Sequence, residues 1–287
     1  MEYAVRIGGV NKLWMPVPRD WDGVGMTGVS VIDISPPPTD RYQEANGNEI
    51  AFWQIGDQNS QTYRVVFDVK VQPIYYQIDP SNIGPYDRTS PLYQRYTQPS
   101  TWVQSDHPEI VQQAQAIVGS ETNPYTQARL LHRWVADNIR SGEAVDAVTA
   151  LRTRGGDCAP RAFLLVAFSR ALGVPARPVS GLHTAYQGSF QSGSWHGRGV
   201  FTHVWMEFYL PDYGWIQSDA SAGARNFGQI DEPRVVLSRG DVIDLAHGYP
   251  LQPLAWFHMP QCDILSDSTP ATQTVGEELR LAVERVR

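Results

Sequence analysis

A nearly continuous apolar run from Ala162 to Leu172, interrupted only by Ser169 and Arg170, is the feature that most constrains the fold of this chain. The run is apolar nearly all round at helical spacing, so it predicts a central, buried helix. It follows directly on Gly155-Gly156-Asp157-Cys158. A glycine turn followed by an aspartate at the N-cap position predicts that the helix begins at Cys158 and ends before Gly173.

This helix start would place a thiol where it is reactive. The positive end of a helix dipole stabilises a thiolate, and the thiolate is the nucleophilic form of cysteine. A lone cysteine on a helix is more often a small core residue, but a core residue needs neither the glycine turn nor the cap. Cys158 is therefore a candidate nucleophile. Cys262 has no helix start beside it and is predicted to be structural.

Composition excludes several classes of protein. The chain has 287 residues, 42% of them hydrophobic, which is enough for one large or two modest domains with a real core. A formal charge of −7 argues against a nucleic-acid partner. No apolar run approaches the roughly 20 residues that span a bilayer. Two cysteines cannot form a disulfide framework or a Cys-rich zinc site, and the histidines form no HExxH motif, so we expect no structural metal and no cofactor.

Two properties of the whole protein follow less directly. The N-terminus from Met1 to Ile7 alternates like a strand and has no signal-peptide pattern. This favours a cytoplasmic protein, or a secreted or periplasmic one if a leader has been removed. The sequence leaves the oligomeric state open.

The pattern of elements divides the chain into four parts. Residues 1–72 predict a small N-terminal antiparallel β domain of short strands separated by Gly, Pro and Asn clusters. Residues 73–105 are rich in Pro, Tyr, Gln and Ser and predict a linker that packs on the surface through its tyrosines. Residues 106–265 combine helices and strands, and residues 266–287 form a polar tail that ends in a short amphipathic run. The whole is predicted to be an α+β protein.

Individual elements are predicted as follows. Pro108 to Val118 should be a helix capped by Asp106, and Asn123-Pro124 should open a second helix. Asn46-Gly47 is a tight-turn signal. The predicted strands are Trp14–Pro18, Gly28–Ile34, Glu49–Ile55, Thr62–Val71, Ala176–Leu182, Val200–Leu210 and Trp215–Asp219.

His203 and Asp219 lie on two consecutive predicted strands. A cysteine nucleophile needs a histidine that accepts its proton and often a third group that orients the imidazole. The two residues are 16 positions apart, so in an antiparallel pair they share a face only if the connection has an odd number of residues or a bulge corrects the register. We therefore predict a three- or five-residue connection, or a bulge, with His203 as base and Asp219 as orienting acid.

The other histidines carry less signal. His132 fits a helix surface or groove. His183 and His196 lie in a Gly- and Ser-rich stretch, residues 181–199, that is predicted to be a long loop before the His203 strand. A surface position is favoured for both, and the alternative is that either lines a cleft. Three more histidines have no neighbours that suggest chemistry: His107, His247 and His258.

Four blocks occur in a recognisable order: Gly156-Asp157-Cys158, Arg170 to Arg177, His203-Val204-Trp205-Met206-Glu207 and Tyr213 to Asp219. Over about residues 106–260 they resemble the transglutaminase-like superfamily. Upstream, Leu13 to Pro18 resembles the β domain that precedes the catalytic domain in that family. The resemblance implies a papain-like α+β core, with helices packed on an antiparallel sheet, behind an N-terminal β domain as in many bacterial members. It also implies a Cys-His-Asp triad, by motif position Cys158, His203 and Asp219, and makes residues 106–265 the catalytic domain.

The implied chemistry is acyl transfer on protein or peptide amides through a thioester. Hydrolysis, as in a cysteine protease or amidase, is favoured, and transglutamination is possible. The alternative is a catalytically inactive peptide- or glycan-binding module on the same fold. Peptide:N-glycanase chemistry ranks lower because the zinc-binding Cys pairs of those relatives are absent.

The chain departs from the family pattern just after the nucleophile. Polar residues often follow the cysteine in the family, whereas Ala159 and Pro160 follow it here. Proline is tolerated in the first helical turn but removes one N–H donor near the thiolate. The backbone N–H of Cys158 remains a candidate oxyanion donor. A side-chain donor is unassigned, with Tyr96 and Trp102 of the linker as candidates.

Overall fold

The computed structural model describes residues 1–56, 59–184, 189–191, 194–196, 200–230, 234–250, 253–263 and 278–282, and five α-helices and sixteen β-strands lie within these ranges. The helices are α1 Pro91–Tyr96, α2 Pro108–Val118, α3 Pro124–Asn138, α4 Ala147–Thr153 and α5 Cys158–Ala171. The strands are β1 Glu2–Ile7, β2 Lys12–Val17, β3 Met26–Ser35, β4 Asp40–Gln43, β5 Glu49–Gln54, β6 Gln61–Val71, β7 Ile74–Tyr75, β8 Ala176–Thr184, β9 Ser189–Gln191, β10 Ser194–His196, β11 Val200–Leu210, β12 Gly214–Ser218, β13 Gln229–Ile230, β14 Arg234–Arg239, β15 Gln261–Cys262 and β16 Glu278–Ala282.

The fold is α+β, as predicted, and the chain separates into two compact units that are each discontinuous in sequence. The first unit comprises Met1–Gln72, Ser180–Thr202 and Glu232–Arg287, and the second comprises Pro73–Val179 and His203–Asp231. The boundary after Gln72 coincides with the predicted end of the β domain. Two of the three later boundaries fall inside β8 and β11, where no turn or composition change marks them in the sequence, and the third follows Asp231. The four predicted ranges, as functional divisions of the chain, stay a prediction.

The first unit is built from antiparallel sheets. One four-stranded sheet has the order β16-β1-β6-β3, and another has the order β15-β2-β5-β4. Trp14 lies at the centre of an apolar cluster, with its ring 5.2 Å from the rings of both Phe52 and Tyr249. Strands β2, β3, β5 and β6 correspond to the four strands predicted in residues 1–72, whereas β4, β15 and β16 were not predicted.

The second unit packs its helices around α5. Helices α2, α3 and α4 all contact α5, and every side chain of α5 from Ala162 to Arg170 is buried. The predicted central helix is confirmed, with its start at Cys158 and its end before Gly173. Within this unit β11 pairs antiparallel with β12, and β8 lies on the other side of β11. Among the described helices, none combines the length and apolar character that crossing a bilayer requires.

Three local predictions were wrong or incomplete. Helix α2 has the predicted bounds, but its N-cap is His107, whose Nδ1 accepts from the Glu109 N–H at 3.3 Å, and not Asp106. Helix α4 was not predicted, because its seven residues are too few for a periodic signal. It begins at a capping box between Asp146 and Thr149.

The stretch 73–105 is also more ordered than a linker. It contains β7 and helix α1, which Ser90 caps by accepting from the Tyr93 N–H at 3.2 Å. The prediction that tyrosines pack this stretch holds in part, since Tyr86 donates to the Tyr209 carbonyl at 2.8 Å. The amphipathic run predicted in the tail, residues 275–286, lies outside the described residues except for β16.

Candidate active site

Cys158 is the first residue of α5 and its side chain is half-buried. The predicted helix start is confirmed, and a helix N-terminus is a position that favours a thiolate. The predicted cap is wrong in detail: Asp157 occupies the N-cap position, but its side chain makes no capping hydrogen bond. The turn is held instead by Arg161, whose Nε donates to the Gly156 carbonyl at 2.8 Å.

The turn before Cys158 lies against a second backbone segment. Arg140 donates to the Arg154 carbonyl at 2.9 Å, and the Gly156 N–H donates back to the Arg140 carbonyl at 2.8 Å. A Cβ on Gly142 would lie 2.8 Å from the Gly155 Cα, closer than real Cβ atoms approach. Glycine at position 142 therefore lets the two segments meet and sets where the nucleophile turn sits.

The β11–β12 hairpin brings His203 and Asp219 to one face. Leu210 pairs with Gly214, so the connection has three residues, Pro211 to Tyr213, as the parity condition required. Met206 pairs with Ser218, the last residue of β12, and Asp219 follows it directly. The predicted shared face is confirmed.

His203 and Asp219 are joined by a short hydrogen bond. His203 Nε2 lies 2.8 Å from Asp219 Oδ2, and both residues are buried, at 8% and 2% exposure. The other carboxylate oxygen accepts from the Ser221 N–H at 3.0 Å, from the Ser221 hydroxyl at 2.5 Å and from the Ala222 N–H at 3.3 Å. Asp219 is the N-cap of the 3₁₀ turn Ala220–Ala222, and this turn fixes the direction of its carboxylate.

The other ring nitrogen of His203, Nδ1, is the one left for the thiol. Burial raises the pKa of Cys158, but a hydrogen bond with His203, the charge of that imidazole and a hydrogen bond from the Val204 N–H outweigh burial, so the pKa lies below its ordinary value. The nearby Asp219 charge opposes this change weakly. The three predicted site residues are thus brought together in the order Cys158, His203, Asp219. Their assignment as nucleophile, base and orienting acid stays a prediction.

The same face of the hairpin continues below the histidine. Trp205 lies two residues along β11, with its ring 6.0 Å from the His203 ring and tilted by 20°. Its Nε1 donates to Gln217 Oε1 at 2.8 Å across the strand pair. Because alternate residues of a strand share a face, this pair forms the layer next to His203 and Asp219 and braces the hairpin beneath them.

A buried ion pair forms the third layer. Arg177 on β8 donates through Nε to Glu207 Oε1 at 2.5 Å and through Nη1 to the Tyr96 hydroxyl at 2.9 Å. Its guanidinium also lies 3.9 Å from the centre of the Trp215 ring. These contacts give a physical reason for the Arg and Glu of the quoted motifs: they join β8 to β11 in the layer farthest from His203.

The candidate oxyanion-hole donors lie in different places relative to the Cys158 thiol. The Tyr96 hydroxyl accepts from Arg177 in the third layer, whereas the thiol lies beside His203 in the first. Trp102 Nε1 is buried and, in the described part of the chain, makes no hydrogen bond. Pro160 packs against Gly156, where a Cβ would lie 2.9 Å from the proline Cγ. The Val204 N–H beside the thiol was missed by sequence reasoning, because the sequence carries no signal for a backbone donor.

Two of the other histidines differ from expectation. His132 was predicted on a helix surface or groove but is buried, at 1% exposure. His183 was predicted in a surface loop but is a buried residue of β8. The backbone of His196 belongs to β10. The prediction of one long loop over residues 181–199 was wrong for the described part of this stretch, which contains the end of β8 and strands β9 and β10. Residues 185–188, 192–193 and 197–199 lie outside the described residues. Cys262 is buried, as predicted for a structural cysteine.

No group of three or more His, Cys, Asp or Glu in the described part of the chain is arranged to hold a metal ion. What the Cys158 arrangement offers chemically is a polarised thiol beside an imidazole whose far side is held by a carboxylate. Such an arrangement can deliver a thiolate to an electrophilic carbon and carry a proton to a leaving group.

Known proteins resemble this chain in sequence and in fold. Residues 111–220 match the family model described as Transglutaminase-like superfamily. A protein of Haemophilus influenzae (strain Rd) described as uncharacterized is 30% identical over 128 residues, which is 38% of this chain and 35% of that protein. The match thus spans about a third of that relative's length.

Two solved structures align over most of the chain. A candidate cysteine protease from Cytophaga hutchinsonii has a TM-score of 0.61 at 18% identity, over 99% of this chain and 95% of that one, and this likeness shows the fold. The periplasmic domain of TgpA from Pseudomonas aeruginosa has a TM-score of 0.40 at 17% identity, over 78% and 77%. The family match covers Cys158, His203 and Asp219, so over residues 111–220 the chain is similar to the transglutaminase-like superfamily.

Proposed function

We propose that the chain is a cysteine-dependent enzyme that transfers acyl groups from protein or peptide amides through a thioester, with hydrolysis as the favoured outcome. Cys158 is the nucleophile, His203 the general base and acid, and Asp219 the group that orients His203. The observation that carries the proposal is the line of hydrogen bonds from Asp219 through His203 to the thiol at a helix N-terminus.

The first step forms the thioester. The Cys158 thiolate attacks the amide carbonyl carbon, and the C=O electron pair moves to oxygen to give a tetrahedral intermediate. When the C–N bond breaks, the His203 imidazolium gives its proton to the departing amine or ammonia. Asp219 stabilises the imidazolium before this transfer, because its Oδ2 lies 2.8 Å from the ring nitrogen.

The second step releases the acyl group. His203, now neutral, takes a proton from water while the water oxygen attacks the thioester. The C–S bond breaks, which regenerates the thiolate and the imidazolium and leaves a carboxylic acid. A primary amine in place of water would give a new amide and hence transglutamination. Hydrolysis is favoured because water is the acceptor at hand unless the cleft excludes it.

The test is to trap the thioester. The protein would be incubated with a digest of peptides and with side-chain amide peptides, quenched in acid and analysed by mass spectrometry. We expect an acyl adduct on Cys158, a carboxylic acid product, and loss of both in Cys158→Ala but not in the matched Cys262→Ala.

Adding a fluorescent primary amine separates the two outcomes. Incorporation of the amine at the expense of acid would make the protein a transglutaminase. Absence of any adduct or product, with a peptide or glycan still bound by Cys158→Ala, would refute the enzyme and favour the inactive binding module.

A further inference from the structure

His132 is a buried histidine that the proposed reaction does not use. It lies on α3, and its ring sits between the end of β12 and the 3₁₀ turn that carries Asp219. Nδ1 is 2.7 Å from the Ser218 hydroxyl, and Nε2 is 3.3 Å from the Gly223 carbonyl. Ser218 immediately precedes Asp219, and Gly223 ends its turn. The ring therefore touches the residues that bracket the orienting acid on both sides.

The hydrogen bonds fix the protonation of this ring. A carbonyl oxygen only accepts, so Nε2 must carry the proton that it donates to Gly223. In the neutral ring Nδ1 is then an acceptor, and the Ser218 hydroxyl donates to it. His132 accordingly bridges Ser218 and Gly223 as one defined tautomer.

The surroundings keep His132 neutral. Burial lowers its pKa to about 4, although the charges of Asp219 and Asp137 and backbone carbonyls at Gly223 and Ala224 favour the protonated form. The ring also packs against Phe227, with 5.4 Å between ring centres. A neutral His132 leaves the Asp219 carboxylate without a second cation that would compete with the His203 imidazolium.

We infer that His132 is a positioning residue that clamps the Asp219 turn at both ends and so holds the carboxylate on His203. This inference rests on the proposed function, because it gives Asp219 a role in the reaction. The Asp219 N–H also donates to the Asn226 carbonyl at 2.8 Å, which closes the turn locally. The His132 imidazole adds a tie between this turn and α3.

The consequence is measurable at the thiol. A loosened Asp219 supports the His203 imidazolium less well, and the thiolate–imidazolium pair then forms at higher pH. His132→Phe keeps a ring against Phe227 but removes both hydrogen bonds. His132→Gln keeps one donor and one acceptor and serves as the conservative rescue. Val135→Ala is the matched control, since Val135 is a fully buried residue of the same helix.

The experiment measures the pH profile of Cys158 alkylation by iodoacetamide, together with kcat and KM. We expect His132→Phe to raise the apparent pKa of Cys158 and to lower kcat about tenfold with KM little changed, because misplacing an orienting group affects the reaction more than binding. His132→Gln should restore most of both. Val135→Ala should lose stability but keep the pKa.

The outcomes separate the two claims. An ordinary thiol pKa for Cys158 in the unaltered protein would overturn the proposed function. A low pKa that His132→Phe leaves unchanged, or that Val135→Ala raises equally, would overturn the positioning role alone. If His132→Phe fails to fold, Ser218→Ala takes its place: it removes only the Nδ1 bond, and an unchanged pKa and kcat there would likewise overturn the inference.

Discussion

Cys158 opens helix α5 and is half-buried, whereas Cys262 lies in strand β15 and is buried. His203 and the Val204 N–H hold the pKa of Cys158 below its ordinary value despite burial. Burial, with the charge of Asp263, raises the pKa of Cys262 to about 11. The thiolate form is thus favoured at Cys158 and disfavoured at Cys262.

The position at a helix N-terminus and the hydrogen-bond partners of the sulfur affect the pKa of these two thiols more than exposure does. Both sulfurs lose water, and loss of water alone raises a thiol pKa. Only Cys158 has a helix N-terminus, an imidazole and a backbone donor that offset this loss. The imidazole and each of the two thiols can be removed by substitution, so the contrast between the two thiols is open to direct tests.

The largest expected effect comes from removing each thiol in turn. Cys158→Ala should lower kcat by about 10³-fold or more, because the covalent step has no substitute nucleophile. Cys262→Ala should keep kcat within about twofold, since surface and core changes away from a site act mainly on stability. Steady-state rates on the trapped substrate would measure both. Equal losses would erase the functional contrast between the two thiols.

The second-largest effect is expected from removing the His203 imidazole. His203→Gln should lower kcat by about 10²- to 10⁴-fold and should bring the pKa of Cys158 up toward that of a buried thiol, because the hydrogen bond and positive charge beside the sulfur are lost. His107→Gln is the control, since His107 caps α2. Alkylation rates at neutral pH would report the thiolate directly, and an unchanged rate in His203→Gln would contradict the pairing.

A smaller effect is expected from the turn before the nucleophile. Gly142→Ala puts a Cβ 2.8 Å from the Gly155 Cα, so the turn that leads to Cys158 must shift. We expect kcat to fall by about 10- to 100-fold, as for a displacement of a reacting group by a fraction of an ångström or more. Gly56→Ala is the matched control in the region of short strands, because a Cβ there meets nothing within 4 Å. It should leave kcat unchanged. A silent Gly142→Ala would mean that this close approach does not position the thiol.

The smallest effect concerns Cys262 and stability at high pH. Its folded pKa is raised to about 11, so the unfolded chain loses this proton at lower pH than the folded one. The stabilisation is therefore complete below the ordinary thiol pKa and is lost as pH rises through about 11, by about 3 kcal/mol in all. Urea unfolding at about pH 8 and about pH 11 should show this decline, and Cys262→Ala should abolish that part of it. A decline that persists unchanged in Cys262→Ala would have another source.

Local patterns predicted the parts of the site that local physics controls. The apolar run after Cys158 predicted the start and end of α5, because a helix that is apolar on all sides is stable only when it is buried. Strand period and hairpin parity placed His203 and Asp219 on one face and required the three-residue connection that β11 and β12 have. These inferences need only the sequence between the residues concerned.

Contacts between distant segments were beyond such patterns. The pairing of Arg177 with Glu207 and Tyr96 joins residues up to 81 positions apart. His132 has ordinary helical spacing, and nothing in α3 indicates that its ring meets Ser218, which is 86 positions away. The hydrogen bonds from Ser221 to Asp219 were easier to predict, because a serine two residues after an aspartate is a common Asx-turn pattern.

The central claim is that the surroundings of Cys158 make it a thiolate at a pH where an ordinary thiol is protonated. The most direct test is the rate of iodoacetamide alkylation of Cys158 and Cys262 in the folded protein as a function of pH, read separately by mass spectrometry. We predict a half-maximal rate for Cys158 below the ordinary value of about 8.5, and for Cys262 no reaction until well above it. A Cys158 profile centred at or above the ordinary value, or one that coincides with that of Cys262, would contradict the account.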